Sequence, residues 1–189
     1  MVDRLQGDAR SAARFASLYR RQIVYLLSSM DEPAFQDLIP GNHCWGCGPL
    51  NEQGLQIKSR WDGDEAVCIW RPSPQHAAGP KHILNGGIIA TIIDCHSVCL
   101  AIAGHYRVEE RPMDGEPGIW CVTAALQISY LRPTPIAGAV ELRARVKEAK
   151  GRKTIVTCSL YAGGDERATA ELVAIRVPPE WRDAEGGQH

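Results

Sequence analysis

Gly86 and Gly87, preceded by Asn85, open an apolar run from Ile88 to Ala103, and one acid, Asp94, stands inside that run. A buried, unpaired carboxylate either destabilises the fold by several kcal/mol or has its pKa forced upward. An upward shift is what a general base working near neutrality needs. Glycines at a helix start expose backbone N–H groups where the helix dipole already favours negative charge. Each weakens the helix by roughly 1 kcal/mol relative to alanine, so their use points to something that must approach the backbone closely. The segment thus supplies a candidate base, Asp94, and a candidate oxyanion donor, Gly86 rather than Gly87, about two helical turns apart.

Structural readings stand beside these. Asn85 is a good N-cap for the helix. Thr91, Asp94 and Ser97 step by three and are expected to form one narrow polar line on an apolar rod. Asp94 also fits a structural acid bonded to hydroxyls or to an arginine, although Ser, Thr or Asn would bury at lower cost. His96, in the same run, is expected to be a satisfied polar residue. His76 and His82 lie in the loop entering the segment and are candidate substrate contacts. Arg132, at a strand end, reads as solvated. Cys44-Trp45-Gly46-Cys47, preceded by His43, has the spacing of half a zinc site. No second C-x-x-C completes it and the other cysteines lie in core-like segments, so neither a metal nor a cofactor is expected.

Elements that position these groups follow from periodicity. Residues 8–29 place Phe15, Leu18, Tyr19, Ile23, Leu26 and Leu27 at helical spacing opposite an arginine-bearing face, which predicts an amphipathic helix. Strands are expected over 55–61 and 66–70, joined by the Asp62-Gly63-Asp64 turn, and over 119–131, 139–149, 153–162 and 167–177. In the 119–131 strand, strict alternation puts Trp120, Val122, Ala124, Leu126, Ile128 and Tyr130 on one face. The loop 107–118 is polar, carries Pro and Gly, and is expected to be mobile. Two strands, one long helix and a run of strands make an α+β fold, with a sheet wrapping the helix. The expected organisation is an N-terminal helical extension over 1–39, one domain over 40–182 and a polar tail over 183–189.

Composition narrows the class. The chain has 189 residues, 44% of them hydrophobic, enough for one domain with a core. Its net charge of −1 gives no general attraction to nucleic acid or anionic membranes. No secretory leader is expected from the charged first residues, and no apolar run reaches the roughly 18 residues of a membrane span. Seven cysteines, an odd count, fit a reducing cytoplasm better than a disulfide framework.

A family resemblance adds to this reading. His43-Cys44-Trp45-Gly46-Cys47-Gly48-Pro49 with Asn51 and Gly54-Leu55 resembles the C-x-G-C-G…N…G-L opening of hotdog-fold acyl-CoA thioesterases. Asn85 to Asp94 is similar to their H-G-G-x-x-A-T-x-x-D helix entry, and Val122-Thr123 with Tyr130-Leu131-Arg132-Pro133 to the strand that follows. The similarity runs from about 43 to 177, within the phenylacetyl-CoA thioesterase-like branch. It implies an antiparallel sheet around a central helix, a homodimer or dimer of dimers (homotetramer), and acyl-CoA as substrate at a dimer interface. It further implies that Asp94, as base or nucleophile, and Gly86, as oxyanion donor, belong to one subunit, with Thr123 contributed by the facing one. Asn85, Gly87, His76 and His82 are the expected substrate-binding residues. Asn85 departs from the family's usual His, which keeps a non-catalytic acyl-CoA or acyl-carrier binding module as the alternative. A ligand-sensing regulator using the N-terminal helix is disfavoured, since no helix-turn-helix is present.

Overall fold

In the computed structural model, residues 32–183 are described. The helix expected over 8–29 and all but the first residue of the tail expected over 183–189 lie outside the described residues. The strands are β1 (Ser59–Asp62), β2 (Glu65–Trp70), β3 (Trp120–Tyr130), β4 (Val140–Lys150), β5 (Lys153–Ala162) and β6 (Asp165–Val177). They form one antiparallel sheet in the order β1-β2-β4-β5-β6-β3. Among the described residues one long helix, α1 (Gly86–Val108), packs on its face, and a short α2 (Pro179–Asp183) ends the described chain. This is the hotdog arrangement the sequence predicts.

α1 extends past the expected end at 103 to Val108, and an 18-residue window within it has a mean hydropathy of 1.8. By length and composition alone it would pass for a membrane span, contrary to the expectation from the shorter run. Here 61% of that window is buried within the fold, as befits a core helix. Leu142, Leu160 and Leu172 of the sheet pack in the same core as Ile92, Ile93 and Leu100 of α1. The segment before β1 adds Phe35, Ile39, Cys47, Leu55 and Ile57 to that core. The packed unit therefore reaches N-terminal of the expected boundary at residue 40.

Two local departures from the sequence reading matter for the site. Residues 55–58 do not join the sheet; Leu55 N–H bonds the Trp45 carbonyl at 2.9 Å and Ile57 N–H the Gly46 carbonyl at 3.3 Å. The hairpin strand is shorter because its first half is used to hold the Cys44–Cys47 turn. β3 carries a bulge between Thr123 and Ala125 in its pairing with β6. A bulge inserts one residue and switches the facing of the side chains. Cys121 and Thr123 turn toward α1 before it, and Leu126 and Ile128 pack on the core after it. Strict alternation along 120–130 therefore fails. The loop after α1, expected to be mobile, is tied by Arg111 Nη2 to the Pro117 carbonyl at 2.7 Å and by Tyr106 Oη, which accepts from Ile119 N–H at 2.8 Å.

His96 is fully buried and satisfied, as expected. Its Nδ1 lies 2.8 Å from Ser59 Oγ and its Nε2 lies 3.2 Å from the Ala66 carbonyl, while Gln36 bonds Ser59 through both its backbone and its hydroxyl. A neutral ring satisfies both ends, with Nε2–H donating to Ala66 and Nδ1 accepting from Ser59. Burial pushes its pKa down to about 4. An unfolded histidine titrates near 6.5, so between those values only the unfolded chain takes up the proton. The stability held above pH 6.5 is then lost as pH falls toward 4, on the order of 3 kcal/mol for this group. Urea unfolding midpoints measured from about pH 7 to about pH 5 should fall in the wild type and flatten in His96→Gln.

Candidate active site

Asp94 sits on α1, half-buried, and Thr123 Oγ1 donates to its Oδ1 at 2.6 Å. The bulge in β3 is what aims Thr123 at the helix. Burial raises the Asp94 carboxyl above the usual carboxylate range, with the Thr123 hydrogen bond opposing the shift. Both residues are part of a cavity of about 250 Å³ whose lining includes Cys44, Cys47, Cys95 and Cys121. The threonine reaches Asp94 of its own chain. This differs from the expected contribution by a facing subunit, because β3 runs alongside α1 in the same fold.

The polar line expected over Thr91, Asp94 and Ser97 does not act as a unit. Thr91 Oγ1 bonds the Gly87 carbonyl at 2.9 Å, Asp94 turns to Thr123, and Ser97 is fully buried. A step of three falls short of the 3.6-residue turn, so successive members rotate around the rod.

At the start of α1, Asn85 is the cap: its Oδ1 accepts from Gly87 N–H at 2.7 Å and Ile88 N–H at 3.4 Å. The cap engages the N–H groups of Gly87 and Ile88 and passes over that of Gly86. Asn85 Oδ1 and the Gly87 N–H are thereby paired with each other within the cap. A Cβ at Gly86 would meet only ordinary contacts with Tyr130, so packing does not exclude alanine there. Tyr130 Oη donates to the Gly86 carbonyl at 2.9 Å and ties the helix start to the end of β3. Sequence reading missed this tie, although Tyr130 stood in a motif.

His76 serves its own turn. Its Nδ1 accepts from Ser73 N–H at 3.0 Å, its ring packs 5.1 Å from Trp70, and its carbonyl accepts from Asn85 N–H at 2.9 Å. It shapes the approach to α1 through backbone. His82 is exposed and contributes its carbonyl to Ile136 N–H at 3.0 Å. The structure brings neither ring to Asp94. Arg132 is exposed and 3.9 Å from Asp165.

The thiols are the second feature sequence reading did not assemble. Cys95, from α1, comes to the Cys44–Cys47 turn, with its Sγ 3.6 Å from that of Cys44. Hydrogen bonds from Cys44, Cys95 and Cys99 hold the Cys47 thiol well below its ordinary pKa, against burial. Bonding to Cys44 and Cys47 raises Cys95, and bonding to Cys47 raises Cys99.

Comparisons with known proteins agree with this fold. The signature of the thioesterase superfamily matches residues 81–169, a span holding α1 and the Asp94–Thr123 pair. A solved thioesterase superfamily protein from Shewanella loihica is 34% identical, with a TM-score of 0.56 over 73% of this chain and 96% of its own. The chain belongs to the thioesterase superfamily. Its fold is also that of the Escherichia coli PaaI protein from the phenylacetic acid degradation operon, at 18% identity and a TM-score of 0.53 over 66% of this chain and 81% of that one. Among curated relatives, the mouse acyl-coenzyme A thioesterase THEM4 is 29% identical over 107 residues, 56% of this chain. The chain spans only 40% of that protein's length.

Proposed function

We propose that this chain hydrolyses acyl-CoA thioesters at a site shared between two copies. The observation that carries the reading is the Thr123-oriented, half-buried Asp94 carboxylate on the apolar-walled cavity. Asp94 takes a proton from water, and the hydroxide attacks the thioester carbon. The carbonyl oxygen becomes an oxyanion held by a Gly86 N–H, and the intermediate expels the CoA thiolate. Val98, Ile102 and Trp120 supply apolar lining for the acyl group. The similarity to a relative named for acyl-CoA hydrolysis supports this substrate class.

Sharing follows from distance. Residues 86 and 94 lie on one continuous helix, and eight residues at about 1.5 Å each separate them by about 12 Å. N–H groups at a helix N-terminus point out of its end, so an oxygen bound to Gly86 lies on the side away from Asp94. A base reaches its water at about 3 Å and the water its carbon at about 3 Å. One chain therefore does not span the reaction, and Asp94 works with Gly86 of the partner subunit. β3 is one edge of the sheet and ends in exposed Tyr130, followed by exposed Leu131. Edge-to-edge pairing of β3 about a two-fold axis would cover that edge and lay the two helices antiparallel.

A thiol-release screen with short, medium, long and aromatic acyl-CoAs tests the activity. Turnover of at least one class is expected. Tight calorimetric binding with no thiol release from any class would instead select a non-catalytic binding module.

A further inference from the structure

We propose that Cys44, Cys47 and Cys95 form a binding site for a thiophilic metal ion, zinc being the chemical match. The three sulfurs lie within 4.8 Å of one another, and the Cys44–Cys95 pair is 3.6 Å apart. That separation is far from the roughly 2.05 Å of a disulfide. It is close to the roughly 3.8 Å edge of a tetrahedron with 2.3 Å zinc–sulfur bonds. The C-x-x-C spacing alone supplies two ligands. The fold supplies the third from α1, 48 residues beyond Cys47.

The surroundings are built for close approach of these sulfurs. A Cβ on Gly46 would overlap Cys95 Sγ, and one on Gly48 would overlap the backbone of Cys44 and Asn42. Gly48 N–H closes the turn onto the Cys44 carbonyl at 2.7 Å. Asn42 holds it from outside: its Oδ1 accepts from Cys44 N–H at 3.1 Å, and its Nδ2 faces Cys47 Sγ at 3.8 Å. Such outer partners orient metal ligands. Cys47 and Cys95 are buried while Cys44 is exposed, which gives an ion a route in. Binding converts the three cysteines to thiolates, releasing their protons to solvent, and leaves the fourth position of the ion to water. The ion would pin the 42–48 turn to α1 beside Asp94. Its presence is independent of the thioester reading.

The test uses the full chain, reduced and stripped with a chelator, then titrated with Co²⁺ and competed with Zn²⁺. The expected result is a thiolate-to-cobalt charge-transfer band that saturates at one ion per chain and is displaced by zinc. Cys44→Ser, at an exposed position, should keep the wild-type circular dichroism but bind at least about 100-fold more weakly, and Cys95→Ser likewise. Zinc should raise the Tm of the wild type and not of Cys44→Ser. Absence of the band with the folded, reduced wild type, or an unchanged band and affinity in Cys44→Ser, would overturn the proposal.

Discussion

Asp94→Asn lowers kcat for acyl-CoA hydrolysis by at least about 100-fold, the usual contribution of a positioned general base, and leaves the fold intact. The two side chains are nearly isosteric, and the amide oxygen still accepts the Thr123 hydroxyl that Asp94 accepts at 2.6 Å. What the amide lacks is a lone pair basic enough to take a proton from water. Burial raises the Asp94 carboxyl, so a neutral amide meets a smaller desolvation penalty and stability should hold or rise slightly. Binding of the acyl group and CoA does not depend on that basicity, so KM should change far less than kcat. Steady-state thiol release, with thermal unfolding of the same sample, separates the two effects. Undiminished turnover in a folded Asp94→Asn sample would remove Asp94 from the role of base.

The hotdog framework was legible because it rests on local signals. The run after Asn85 is apolar on nearly all faces, so it had to be a covered helix, and the turns at Gly151 and Gly163-Gly164 delimit the later strands. Asp94, Gly86 and Thr123 could be named because each breaks a local rule or sits in an ordered motif. That Thr123 meets Asp94 of its own chain could not. A one-residue bulge turns Thr123 toward Asp94, and bulges leave no trace in a hydrophobic alternation. The thiol cluster was hidden for a similar reason: Cys95 reads as one more core residue of α1 until the fold sets it against the 44–47 turn. Asn85 and Gly87 look like ligand contacts as a motif. In three dimensions they satisfy each other as cap and first-turn donor.

Gly86→Pro abolishes hydrolysis by about 100- to 1,000-fold, the loss seen when one oxyanion donor is removed, while Gly86→Ala retains the N–H and most of the activity. Proline is suited to the first helical position, where its missing N–H has no helical partner. It also requires an extended preceding residue, and Asn85 already has φ −63° and ψ 135°. A Cβ there makes only ordinary contacts, with Tyr130. Helix and fold should therefore survive, and circular dichroism checks that they do. The decisive measurement mixes two inactive proteins. If Gly86 and Asp94 act across a two-fold interface, unfolding and co-refolding Gly86→Pro with Asp94→Asn creates heterodimers with one intact site. Random pairing makes half the dimers mixed, each with one working site of two, so roughly a quarter of wild-type activity returns. If both groups acted within one chain, every site in the mixture would lack one of them and no activity would return. Recovery near a quarter, with none when either variant is refolded alone, assigns the reaction to the space between the end of one helix and the middle of its neighbour.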